Sequence, residues 1–477
     1  MAANEALEAC AAVSGAHLEQ LPLDSAVPSV LDCLGARELG ALSCTGSAVL
    51  RRAACTAWRA LLQRDFPQAA AAPGSAFHEA ARQVKLARAL RLRPSCGSAG
   101  ERSPEALVEA LCADLGAGGL AGVLTVHSAD VGMQREVLRI LALSVATPGE
   151  RGGSAGQAAS ITAADFVAAG GIEAVLAVMS AQLTDAPLQN LGCLALRNLS
   201  SLSANGAAII SAGGIEALLA AMDAHPGDLQ VQENALRAAV CITARRSIFE
   251  PSAVAIMPAY IKAVVAAMAA HTGDEDVQTI ASGILFALTP NRPNIASIVA
   301  AGGIEAVVAA MAAHTNVENL QLYGCSLLRN IADIDPVKVA IAGAGGIGVV
   351  VTAMIVFAAV ASVQASASGA LSNLACENGS NKVAIAAAGG IEAVVAAMRA
   401  HREDAGVQGA ACYALRNLAC ENESNQVAIV AAGGTELVSA AMAAHTHAYL
   451  QENGSAIMAM LRHSFPALSL LSANNKG

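Results

Sequence analysis

The sequence predicts an all-α solenoid, and three observations carry that prediction. A phrase, Gly302-Gly303-Ile304-Glu305-Ala306-Val307-Val308-Ala309-Ala310-Met311, returns almost unchanged at Gly389 to Met398. Looser copies begin at Gly118, Gly170, Gly213, Ala259, Gly345 and Gly433, and from Gly170 onward the steps are 43, 46, 43, 43, 44 and 44 residues. Apolar residues recur at helical spacing inside each copy, while Gly and Pro collect at its boundaries. A fixed period in this range marks stacked helical units that share a core. Such arrays are binding surfaces more often than reaction vessels.

The unit from Gly389 shows the elements in order. Gly389-Gly390 ends a short helix and opens a tight turn that a Cβ would crowd. Ile391, Val394, Val395 and Met398 then form one apolar helix face, and Glu392 lies in the first turn, where negative charge is favoured. His401 closes that helix, in the slot that also holds His225, His271, His314 and His445. A histidine there suits a helix C-terminus, and one per unit is too sparse to chelate a metal. Val407-Gln408 opens a longer helix buried through Ala411, Ala414, Leu415 and Leu418. Asn422 to Asn425 breaks it with residues that suit turns and N-caps, and Val427 to Ala432 forms the next short helix. Each unit is therefore short helix, helix, long helix. The copy at Ala259 lacks both glycines.

This unit resembles the armadillo repeat, through Gly-Gly-Ile-Glu-Ala-Val-Val-Ala-Ala-Met followed by Val407-Gln408, Ala411, Ala414-Leu415-Arg416-Asn417-Leu418-Ala419. The resemblance covers residues 104–462, about eight units, and implies a right-handed armadillo-type α-solenoid. It also implies a groove lined by the long helices, where an Asn from each grips an extended peptide. The matching slot holds Asn198, Asn330, Asn373 and Asn417, broken elsewhere by Leu143, Cys241, Ala287 and Ala459. An amide side chain both donates and accepts, so it can pair with any peptide group. Arg197, Arg329 and Arg416 precede three of these Asn residues and offer carboxylate or phosphate contacts. The alternative is that each Asn ties neighbouring repeats together. Leu194, Ser326, Gly369 and Tyr413 stand where some armadillo proteins carry Trp, so binding of nuclear-import signals is not expected.

Residues 18–66 do not repeat. Leu21-Pro22, Val30-Leu31, Leu34, Leu39 and Leu42, closed by Trp58-Arg59-Ala60-Leu61-Leu62 and Arg64-Asp65-Phe66-Pro67, resemble an F-box. The resemblance implies that Leu21, Pro22, Val30, Leu31, Leu34, Leu39 and Leu42 dock a Skp-family adaptor, which joins a cullin ubiquitin ligase. An unrelated helical cap is the other reading. Residues 1–17 are expected to be a disordered N-terminus, 67–103 a helix and linker, and 463–477 a C-terminal tail.

Charge and chemistry narrow the function. Residues 1–103 hold 11 Lys+Arg and 9 Asp+Glu; residues 104–477 hold 17 and 29. An acidic solenoid argues against nucleic acid, which needs a basic stripe. No CxxC pair appears among the 12 cysteines, and Cys193, Cys325 and Cys412 share one repeat slot as small buried residues. With no signal peptide at the start, a cytoplasmic or nuclear location is expected. Ile347 to Val363 is apolar enough to mimic a membrane span, yet it keeps the repeat register. Its turn, Ile355 to Val360, is either an exposed apolar contact patch or part of a lengthened helix. Gly343-Ala344-Gly345-Gly346-Ile347-Gly348 fits GxGxxG, but no acidic residue follows until Glu377, and the repeat explains the glycines. No catalytic residue, cofactor or metal is expected. The predicted function is substrate receptor of a Skp-cullin-F-box ubiquitin ligase, with a protein or peptide substrate in the groove. A plain armadillo scaffold is the alternative.

Overall fold

The computed structural model describes residues 117–118, 120–122, 124–125, 131–144, 163–200, 203–243 and 251–465. The F-box-like residues 18–66, the segment 67–103 and both chain ends lie outside them, as does the loop at 147–157. The described residues are helical, with no strand among them. They fall into two compact units, divided between Ala174 and Val175.

The first unit contains α1 (Val131–Ser144), α2 (Ala163–Ala168) and the opening of α3 (Gly171–Ala181). Val137, Leu138 and Leu141 of α1 are buried. Phe166 of α2 is fully buried against Gly171, where a Cβ would meet the ring at 2.2 Å.

The second unit continues through α4 (Ala186–Leu199), α5 (Ser203–Ser211), α6 (Gly214–Ala224), α7 (Leu229–Thr243), α8 (Pro251–Ala270), α9 (Glu275–Leu288), α10 (Arg292–Ala300) and α11 (Gly303–Ala313). It goes on with α12 (Glu318–Ile331), α13 (Asp335–Gly343), α14 (Gly346–Val356), α15 (Ala361–Ala375), α16 (Gly379–Ala387), α17 (Gly390–Ala400), α18 (Ala405–Ala419), α19 (Glu423–Ala431), α20 (Gly434–Ala444) and α21 (Ala448–Ser464). The long helices α4, α7, α9, α12, α15, α18 and α21 pack each on the next. The expected apolar faces are the observed core: Ile391, Val394, Val395 and Met398, and then Ala411, Ala414, Leu415 and Leu418, are all buried.

The two glycines of each pair have different tasks. Gly389 has φ +80°, a left-handed conformation that costs a side-chain-bearing residue about 1–2 kcal/mol. Gly390 has ordinary dihedrals but no room: a Cβ there would lie 2.5 Å from Ile385 Cγ2 and 2.9 Å from Ile385 O. The turn bends α16 against α17 by 69°. Where the glycines are missing, at Ala259, the turn is missing too. α8 runs unbroken for 20 residues through Pro258, replacing the short helix and the second helix of the other units.

Two networks hold the units, the first of them buried. In the first, the Gln of each Val-Gln-type opening bonds the end of the helix before it. Gln408 Nε2 donates to Met398 O and His401 O, both at 2.8 Å; Gln232, Gln278, Gln321 and Gln364 do the same one unit apart. The second network runs between units. His225, His271, His314, His401 and His445 place Nε2 within 2.8–3.0 Å of the carbonyls of Leu183, Pro226, Thr272, Ala358 and Arg402 in the preceding unit. A carbonyl only accepts, so each Nε2 carries hydrogen. The histidines are thus inter-repeat ties, a role beyond the helix-end preference expected from sequence. Lys338 and Lys382, both buried, reach forward to Cys376 O and Cys420 O.

The apolar segment Ile347 to Val363 resolves into the second helix of one ordinary unit and the start of its long helix. α14 has 11 residues, the length of α11 and α17, so the lengthened-helix reading is corrected. Ile347, Val350, Val351 and Met354 are buried, whereas Ile355 is 67% and Val356 48% exposed. No single helix among the described residues is long and apolar enough to cross a membrane, and α13 and α14 meet at 72°. Val337 to Ala342 lies in α13, so GxGxxG follows a helix here, not the strand that dinucleotide binding needs.

Candidate functional site

Successive long helices form one face, and the Asn ladder lies on it. Asn330 is exposed and its Nδ2 donates to Thr289 Oγ1 at 2.7 Å. Asn373 Nδ2 donates to Arg329 O at 2.8 Å. Asn417 is buried, and its Nδ2 donates to Ser372 O at 3.1 Å and Ser372 Oγ at 3.0 Å. Asn198 is buried on α4. Three of these amides therefore tie a long helix to the one before it. An amide nitrogen has two hydrogens. Both are committed at Asn417, while Asn330 and Asn373 each keep one N–H and the Oδ1 acceptor.

The arginines separate as well. Arg416 Nη1 donates to Asn453 Oδ1 at 2.9 Å. Arg197 is half-buried on α4. Arg329 is exposed, and its stem lies across Gly369, where a Cβ would come within 2.8 Å of Cδ and Nε.

Two cavities of the second unit lie along the long helices, and the first borders Arg329 and Asn373. One, of about 400 Å³, is bordered by Arg329, Gly369, Asn373, Tyr413, His447 and Tyr449. The Tyr413 and Tyr449 rings are 5.6 Å apart and tilted by 58°. Partial burial pushes the Tyr449 hydroxyl up to about 12, Tyr413 adds to that, and the Arg329 and Arg416 charges oppose it. The other cavity, of about 420 Å³, is apolar and bordered by Val240, Tyr260, Ile280, Ile284, Phe286 and Tyr323. The Phe286 and Tyr323 rings are stacked at 6.3 Å, and Gly283 leaves room for Tyr323. The Tyr260 hydroxyl is buried with no hydrogen-bond partner, and burial raises its pKa.

The chain has four tyrosines, and all four border these cavities. Sequence reading missed Tyr260, Tyr323 and Tyr449, and saw Tyr413 only as a substitute for Trp. The available signal was scarcity, since aromatics are 3% of the chain. Among the described residues no cluster of three or more His, Cys, Asp or Glu could hold a metal. The expected adaptor-binding residues Leu21, Pro22, Val30, Leu31, Leu34, Leu39 and Leu42 lie outside the described residues.

The sequence from 263 to 463 matches the family model of the LRRK2 ARM repeat. A crystal structure of an engineered protein is similar at 25% identity and TM-score 0.60, covering 92% of this chain and 96% of that one. A structure described under a conserved phosphorylation switch controlling the interaction between cadherin and beta-catenin is similar at 15% identity and TM-score 0.56, covering 97% and 96%. No curated protein matches the sequence.

Proposed function

On an armadillo-type repeat solenoid, we propose that this protein is a non-catalytic binding protein whose long-helix face holds an extended segment of a protein partner. One observation carries the reading: the four tyrosines of an aromatic-poor chain all border two cavities on that face. Tyrosine supplies a large rigid contact with a polar tip, and interface hot spots are enriched in it. Asn330 and Asn373 keep groups that can pair with a peptide main chain, and Arg329 and Arg416 add charge. Asn417 contributes mainly by fixing the helices, and Asn198 and Arg197 lie on α4, bordering neither cavity.

The fuller reading is a substrate receptor of a Skp-cullin-F-box ubiquitin ligase, acting in the cytoplasm or nucleus. The sequence of residues 18–66 supports it: Leu21, Pro22, Val30, Leu31, Leu34, Leu39 and Leu42 form an apolar set suited to anchor in a partner groove. The alternative is an armadillo scaffold with no ubiquitin role. Co-purification of the full chain with a Skp-family adaptor, beside the Leu31→Asp, Leu34→Asp double variant, separates the two. Capture by the parent chain and loss in the variant supports the receptor; no capture by either leaves the scaffold.

A further inference from the structure

The cavity beside Arg329 differs in charge from the solenoid that carries it. Residues 104–477 hold 29 acidic and 17 basic residues, yet this cavity is bordered by Arg329 and by no carboxylate. Arg329 has no ion-pair partner among the described residues. A guanidinium does not lose its proton in proteins, so the cation is permanent. Its position is built in, because the missing Cβ of Gly369 clears the place where the stem lies. Ala405 and Gly406 open α18, whose N-terminus the Asp404 carboxylate already caps, and Tyr449 lies in the first turn of α21, whose N-terminus has no side-chain cap. Negative charge is favoured at such ends. Glu452, which acts electrostatically on Tyr449, does not border the cavity.

We propose that this cavity takes the side-chain carboxylate of an acidic residue in an extended peptide crossing α12, α15 and α18. The inference rests on the peptide-binding reading above and adds the charge of the ligand to it. Arg329 brings the one permanent charge, and the other groups at the cavity, Asn373, Tyr413, Tyr449 and His447, are hydrogen-bonding groups, of which only His447 can gain a proton. That set balances one negative charge better than the near-dianion of a phosphate. A long acidic ligand would meet the acidic remainder of the solenoid. The favoured ligand is therefore a single acidic position among apolar ones, with an apolar side chain for the cavity of Tyr260 and Tyr323.

The test is selection of random peptides displayed on phage against the full chain, followed by affinity measurements on synthetic copies. Enriched peptides should share one Asp or Glu position. Changing that residue to its amide, or Arg329→Gln in the protein, should each weaken binding roughly tenfold or more, and the two changes together should cost no more than either alone. Arg329 is exposed, so the variant is expected to fold. Tyr449→Phe, which removes one hydroxyl, gives a second reading as a smaller loss confined to the acidic peptide. Enriched peptides with no acidic position, or with affinity unmoved by Arg329→Gln, overturn the inference and leave the peptide-binding face standing. Tighter binding of phosphoserine than of Glu at that position overturns the carboxylate. No enriched peptide at all overturns both.

Discussion

Gln408→Leu keeps the volume of a buried side chain and removes two donated hydrogen bonds. Met398 O, in the last turn of α17, accepts from Gln408 Nε2 and from no backbone N–H. His401 O also accepts from Asp404 N at 3.1 Å, so it keeps one partner. Stranding a buried carbonyl costs about 1–3 kcal/mol, and losing a second, replaceable bond about 0.5–1.5. The expected destabilisation is therefore about 3 kcal/mol. Urea unfolding followed by circular dichroism gives the total, and amide hydrogen exchange gives its location. Contacts in a solenoid run only between neighbours, so lost protection should concentrate in residues 390–419 and fade along the array. A change below about 0.5 kcal/mol, against the scale of a single net hydrogen bond, would refute the argument. Lost protection spread evenly along the chain would refute its local form.

Gly390→Ala should cost about 1–3 kcal/mol, because the new Cβ would press on Ile385 O, a main-chain atom that cannot rotate away; a melting temperature equal to the parent's would refute it. Burial pushes the thiols of Cys193, Cys325 and Cys412 up to about 12 from 9.0. They should resist maleimide at neutral pH in the folded chain, while exposed Cys420 reacts. In the unfolded chain these thiols ionise near 9, so their contribution is intact below that pH and is lost as pH climbs from about 9 to about 12. Stability that is flat across that window would contradict the burial.

The repeat was legible because its determinants are local. A glycine pair, a 3.6-residue apolar period and an Asn or Asp before a helix act within a few residues, and the unit can be read without its neighbours. The missing glycines at Ala259 were legible too, although the unbroken α8 that goes with them was not read from them. The roles that escaped depend on what lies one period away. His401 has no sequence neighbour to explain it; its partner, Ala358 O, is 43 residues back. The recurring Gln has a partner only 10 residues back, but its role needs the angle between two helices. Tyr413 and Tyr449 belong to different units and meet only when the units stack. The Asn slot was read by register, but the hydrogen-bond partners of Asn330, Asn373 and Asn417 lie 41 to 45 residues away.

The histidine and lysine ties have main-chain carbonyls as acceptors. A carbonyl is present whatever the residue, so the acceptors that these ties need are offered at every step. A duplicated period would arrive with its own donors and find its acceptors already in place, with no second mutation needed to complement it. The sequence carries the trace of such freedom. The phrases at Gly302 and Gly389 are nearly identical, although the unit between them has Phe357 in place of the histidine and an exposed apolar turn. Side chains on the long-helix face can therefore diverge one unit at a time, as Tyr413 and Gly369 have, while the joints that set the spacing stay interchangeable.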